Sequence, residues 1–236
     1  MTRWDLTGLR RELPIIIVVQ ILAGVGFVLG IGLFFDHIPS SAALYVSTGV
    51  VVVNLILVGL IVGPQFTADQ KLRGTYDYLR ALPVPATAAA AAWFTVTLIA
   101  GVPAAVASLV IAELRYGISF SVTPSIVPAV LLTAFTGTML GYALSHAIRN
   151  PMSMQLIAQL LVFVVMGFSP IMYPASQLPD WLAAINQWLP FEHMGTIVRA
   201  GLTTGIVGNV GPSYLVVAAW GIIGTVLAAQ ALMRRP

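Results

Sequence analysis

Along most of this chain the apolar positions neither alternate nor recur every three or four residues; they run on without a break. Apolar stretches of about 20 residues are the length that a helix needs to cross a bilayer. Six can be marked, near 14–34, 43–64, 88–112, 124–147, 152–173 and 213–233. In lipid every backbone N–H and C=O must be satisfied within the segment, so each stretch predicts a helix. Ahead of the first, Leu6, Leu9 and Leu13 share one helical face and Arg3, Arg10 and Arg11 lie elsewhere. That pattern predicts a short helix over 1–13 lying in the membrane interface, the alternative being a frayed polar tail. The expected fold is all-α: a polytopic membrane protein of six transmembrane helices. An N-terminal interfacial helix, a helix over 68–83 and broken outer helices over 174–202 complete it.

Composition sharpens the class. Of the 236 residues, 58% are hydrophobic and 8% charged, against about 25% charged in a soluble domain. Net charge is +3, but the cations are spread over short connections, which suits anionic lipid headgroups and not nucleic acid. With the N-terminus inside, the inner segments hold Arg3, Arg10, Arg11, Lys71, Arg73, Arg80, Arg149, Arg234 and Arg235, and the outer ones only Arg115 and Arg199. The bias puts both termini and Lys71 in the cytoplasm. There is no cysteine, hence no disulfide.

Little catalytic chemistry is written in the chain. No G-x-x-x-x-G-K-[ST] is present, so no phosphate-cradling loop for ATP. No H-E-x-x-H or Cys/His cluster offers a metal site, and "GFSPI" is not a nucleophile elbow. The spans lack a buried acid, which weakens an ion- or proton-coupled carrier. Polar residues do line up within two spans: Ser47, Asn54 and Gln65 in the second, Gln155 and Gln159 in the fifth, the latter sharing a face with Met152, Phe163, Met166 and Pro170. These stripes read equally as the lining of a path for an amphipathic solute or as interhelical hydrogen bonding. In the fourth span Thr133, Gly137, Gly141 and Ser145 form a small-residue ridge, a packing surface for a neighbouring helix.

Two connections stand out. "ADQKLRGTYDYLRALPVPA" holds the sole lysine, Lys71, and much of the chain's charge. As a helix it places Leu72, Tyr76 and Leu79 on one face with Leu82 at its edge, and Asp69, Arg73, Asp77 and Arg80 on the other. Arg73 and Asp77 are spaced for an ion pair; Gly74 weakens the helix and Pro83 and Pro85 stop it. An apolar face with a charged rim suits a groove on a partner, or a simple surface loop. The second is "QLPDWLAAINQWLPFEHMGTIVRAGL", too apolar for a solvated linker and too broken for a span. Trp181 and Trp188 fit interface anchors, and two short helices split near Pro190 are expected to dip back from the outer face; one surface-lying helix is the alternative.

"QKLRGTYDYLRALPVPATA" resembles the signature of ABC-2 type permeases, the membrane subunits of type V ABC exporters, with its Gly-Thr, Tyr/Leu pair and closing Leu-Pro. "GFSPIMYPASQLPDWLAAINQWLPFEHMGTIVRAGL" resembles the same family's outer segment at Ser169, Pro170, Tyr173, Pro174, Leu178, Pro179, Trp181, Pro190 and Arg199. The chain departs from the pattern at Asp69-Gln70, where the family often has Glu, and at Leu189-Pro190, where Asn-Pro is typical. The resemblance implies an exporter permease for a drug, lipid or lipid-linked molecule in a plasma membrane, the inner membrane of a prokaryote. It implies a separate cytoplasmic ATPase subunit that binds ATP and Mg, no cofactor on this chain, and a second permease chain, identical or paralogous. Leu72, Gly74, Thr75, Tyr76, Leu79, Leu82 and Pro83 would dock the ATPase. Pro170, Tyr173, Pro174, Trp181 and Pro190 would form an outer gate. A secondary transporter or a non-transporting scaffold is the competing reading.

Overall fold

The computed structural model describes residues 3–34, 38–76, 78 and 86–233. Among these residues there is no strand. The helices are α1 (Arg3–Phe34), α2 (Ser40–Leu57), a π-helical segment (Val58–Val62), α3 (Gly63–Leu72), α4 (Ala86–Tyr116) and α5 (Ile126–Ala147). After them come α6 (Pro151–Phe168), α7 (Asp180–Asn186), α8 (Pro190–Leu202) and α9 (Gly211–Met233), with a single 3₁₀ turn at Ala175–Gln177. Among the described residues six helical runs are long and apolar enough to cross a membrane, as the hydropathy pattern predicts.

The second run is the centre of the bundle. It continues from Ser40 to Leu72 through the π segment and is buried over 83% of its most apolar stretch, against 17% for α6. Four consecutive valines, Val50–Val53, would disfavour a helix in water; here Val51, Val52 and Val53 pack in the core with Leu55, Ile56, Ile197 and Val198, and Val50 packs with Val28, Ala43 and Ala112. The π segment precedes Pro64, which has no N–H for the Leu60 carbonyl and would clash with it in a regular helix. One wide turn absorbs the conflict.

The α5 ridge packs as its spacing foretells. Gly59 of the π segment lies so close that a Cβ there would sit 2.8 Å from the Thr138 nitrogen, and a Cβ on Gly141 would collide with the Gly59 carbonyl. The opposite side of α5 receives α9 at Gly221 and Gly224. Between α5 and α6 the turn is written in the sequence: the Asn150 side chain accepts from Met152 N (2.9 Å) and Ser153 N (3.2 Å), and Pro151 takes the first helical position.

Several boundaries differ from the hydropathy reading. The expected interfacial helix over 1–13 and the first span form one helix through Pro14, since nothing on either side of that proline favours a turn. The fifth span stops at Phe168 and not at 173, because Ser169, preceding Pro170, is driven to an extended conformation. The helix expected over 68–83 is divided: α3 ends at Leu72, and Gly74 turns with φ +71° before Thr75 and Tyr76 resume helical geometry. Arg73 pairs with Asp69 at 2.8 Å; Asp77, its expected forward partner, lies outside the described residues.

Candidate functional site

α6 packs on α3 and the π segment but diverges from α2. A narrow cleft opens there, with Val53, Leu57, Leu60 and Ile61 on one wall and Val162 and Met166 on the other, all of its lining side chains apolar. Above one end of α6 the chain folds into the hairpin formed by α7 and α8. The split falls at Pro190, which occupies the first turn of α8 and cannot extend α7.

Arg199 of α8 holds this end together. It is 1% exposed. Its guanidinium lies over the Tyr45 ring, 3.4 Å from the centroid, while Nε donates to Thr48 Oγ1 (3.1 Å) and Nη2 to the Ile171 carbonyl (2.7 Å). One cation thus joins α8, the start of α2 and the turn after α6. A buried charge costs several kcal/mol unless it is well hydrogen-bonded; the planar fork and the ring face supply that compensation. Burial lowers its pKa to about 10, so it stays protonated at neutral pH. Two turns earlier, burial raises the Glu192 carboxyl against the opposing pull of His193 and Arg199. Its Oε2 is buried without a hydrogen-bond partner.

Further bonds fix the hairpin. Asn186 donates to the Phe168 carbonyl at the end of α6 (2.9 Å), and Tyr173 to Gly167 O (3.0 Å). His193 meets Ser213 Oγ at 3.0 Å, and the Trp220 indole donates to Trp188 O at 2.7 Å, tying the hairpin to α9. Of the expected gate residues, Pro170 and Pro190 are buried, Tyr173 and Pro174 half-buried, and Trp181 exposed. The charge count along the sequence treats Arg199 as an outer loop cation; the structure buries it inside the protein. The available signal is its company: Ile197, Val198 and Leu202 flank it in an otherwise apolar helix.

The two polar stripes part company. Ser47 turns back on Ala43 O (2.7 Å), and Asn54 donates to Ser108 Oγ of α4 (3.2 Å) against Gly24 of α1, where a Cβ would sit 2.6 Å from the Asn54 nitrogen. Both are buried in helix packing, Asn54 bonding across to α4 and Ser47 within its own helix. On α6, Met166 borders the cleft, Gln155 is half-buried, and Gln159 and Phe163 are exposed.

At the other end of the second run, Leu72 is exposed, and so are Gly74 and Thr75, while Tyr76 is half-buried. Leu79, Leu82 and Pro83 lie outside the described residues. Lys71 is not on a free polar face: its Nζ donates to the carbonyls of Ser145 (2.8 Å) and Ile148 (2.7 Å).

A family profile described as ABC-2 family transporter protein matches residues 30–229, spanning the cleft, the hairpin and the Lys71 end. The chain belongs to the ABC-2 transporter family. No curated protein sequence matches it. Membership makes it a multi-pass membrane permease of an ABC transporter, a subunit that works with an ATP-binding partner. In this ABC-2 permease the described residues hold no group of three or more His, Cys, Asp or Glu placed to bind a metal.

Proposed function

We propose that the chain is the membrane subunit of an exporter that moves a hydrophobic or amphipathic solute, a drug, lipid or lipid-linked molecule, outward. A separate cytoplasmic ATPase, docked on the segment around Leu72–Tyr76, supplies the energy. Two permease chains, identical or paralogous, form the pathway in the cytoplasmic membrane, with both termini inside, in the manner of type V exporters. The observation that carries the reading is the match to the ABC-2 transporter family, joined by an apolar crevice between the second run and α6 beside a hairpin pinned through Arg199. Such walls suit an oily solute better than an ion. The exposed face of α6, with Gln159 and Phe163, is available to meet the second chain or the solute. The hairpin acts as the external gate.

Inside-out membrane vesicles carrying the chain with its ATPase test this. ATP should drive a fluorescent amphipathic solute into the lumen. ATP-driven depletion would mean import, and accumulation driven by a proton gradient without ATP would establish the secondary-transport alternative.

A further inference from the structure

The single lysine occupies an unusual place. α5 ends at Ala147, Ile148 is extended, and the last carbonyls of the helix have no intrahelical partner. Lys71, from the last turn of α3, donates to two carbonyls there, Ser145 O and Ile148 O. A cation at a helix C-terminus also complements the helix dipole. The same ammonium lies 4.9 Å from the centroid of the Tyr76 ring, just beyond the Gly74 turn. Tyr76 in turn stands 6.0 Å from His146, and His146 is 4.2 Å from Tyr142. His146 Nδ1 is held at 2.8 Å from Tyr142 O. The end of α3, the start of the docking segment and the end of α5 therefore meet at one side chain.

The connection from Ile148 into α6 is short and stiff. Only Arg149 and Asn150 separate Ile148 from Pro151, and Asn150 caps α6 with its side chain. α6 is also the least buried of the six spans, and within the chain it packs on α3, which carries Lys71, and on the π segment. The alternative route along the second run passes through the π segment, whose ladder skips a residue at Gly63 N to Val58 O. A wide turn of this kind yields more readily than a regular helix.

We infer that Lys71 is the positioning residue that carries a displacement of the docking segment into the α5–α6 turn and so into α6, the open wall of the cleft. The inference rests on the exporter reading above and deepens it. Lysine suits the role: a compact ammonium can follow two carbonyls through a small shift, where a planar guanidinium would fix one geometry.

The test uses the permease–ATPase complex in lipid discs and the absence of native cysteine. Spin labels at Tyr78→Cys and Arg149→Cys, both exposed positions, report whether the two segments move together. Their separation should be the same in nucleotide-free and ATP-trapped complexes. In Lys71→Met the separation should change between the two states. Solute moved per ATP hydrolysed should then fall about tenfold, with co-purification of the ATPase retained. Lys71→Arg, whose guanidinium fixes one geometry, should keep the ATPase bound but recover the ratio only in part. A wild-type ratio in Lys71→Met, or a pair that separates on ATP binding in the otherwise native chain, would overturn the inference. Loss of co-purification in Lys71→Met would also overturn it, by making Lys71 part of the docking contact. If the Met variant is poorly inserted, the label pair in the Lys71 chain decides alone. Failure of the native chain to co-purify with the ATPase would instead remove the docking reading, and this inference with it.

Discussion

Two cations sit at opposite ends of the second helical run, and they are held differently. Arg199 is fully buried, stacked on Tyr45, and bonded to a side chain and a carbonyl from separate elements. Lys71 is half-buried, bonds two backbone carbonyls at one helix end, and lies near the Tyr76 ring. The first arrangement is planar, directional and dry; it tolerates no sliding. The second is a point charge at a partly exposed position. One end of the run is built to hold its hairpin as a body with α2, and the other to pass on movement.

The largest effect should come from breaking the rigid end. Arg199→Met strands the Ile171 carbonyl in the core, while Thr48 keeps its bond to the Leu44 carbonyl, and should destabilise the chain by about 3 kcal/mol. Thermal unfolding in detergent measures it. Arg199→Lys should recover only part, because an ammonium cannot stack flat on Tyr45 while reaching both acceptors. An equal tolerance of Met at positions 71 and 199 would erase the difference between the ends.

The mobile end should be sensitive in binding and not in stability. Leu72 is 62% exposed, so Leu72→Asp leaves insertion and melting unchanged. A carboxylate in an apolar docking groove should still cut ATPase co-purification by an order of magnitude or more. Arg73→Ala, which removes only the exposed pair with Asp69, should change stability by about 0.5 kcal/mol or less. Comparable mild losses from both changes would reduce this segment to a surface loop.

A smaller effect isolates the ring face. Tyr45→Phe keeps the stack under Arg199 and should melt near wild type, whereas Tyr45→Leu should cost about 1 kcal/mol. Equal losses would assign the contribution to the hydroxyl.

The smallest is a pH dependence at the rigid end. Burial raises the Glu192 pKa above its ordinary 4.5. A raised folded-state pKa means that the folded chain binds this proton more tightly than the unfolded one. Its contribution is fully present below about 4.5 and is lost as pH rises through the folded value. Relative to Glu192→Gln, the melting temperature of the native chain should therefore fall over that window and level off above it. A constant difference across the range would show that the carboxyl is not desolvated.

Hydropathy makes the spans legible because lipid demands length and apolarity, and both can be counted along a sequence. The break at Pro190 and the α5 ridge are legible for the same kind of reason: proline lacks a donor, and small residues four apart admit a backbone. Facing is not. Ser47 and Asn54 form a stripe by periodicity, but only the approach of Gly24 and Ser108 shows that Asn54 meets α1 and α4. Arg199 counts by its charge among loop residues, and a charge count carries no information about the ring that covers it. The division of the docking segment at Gly74 is half visible: glycine marks weakness, and the positive φ makes it a turn.

The most direct measurement is amide hydrogen exchange on the permease–ATPase complex with and without trapped ATP. Amides of α8 and of the start of α2 should keep their protection in both states, while those around Lys71–Tyr76 and Ile148–Met154 change together. Protection that changes around Arg199 and stays constant around Lys71 would contradict the assignment of a holding end and a transmitting end.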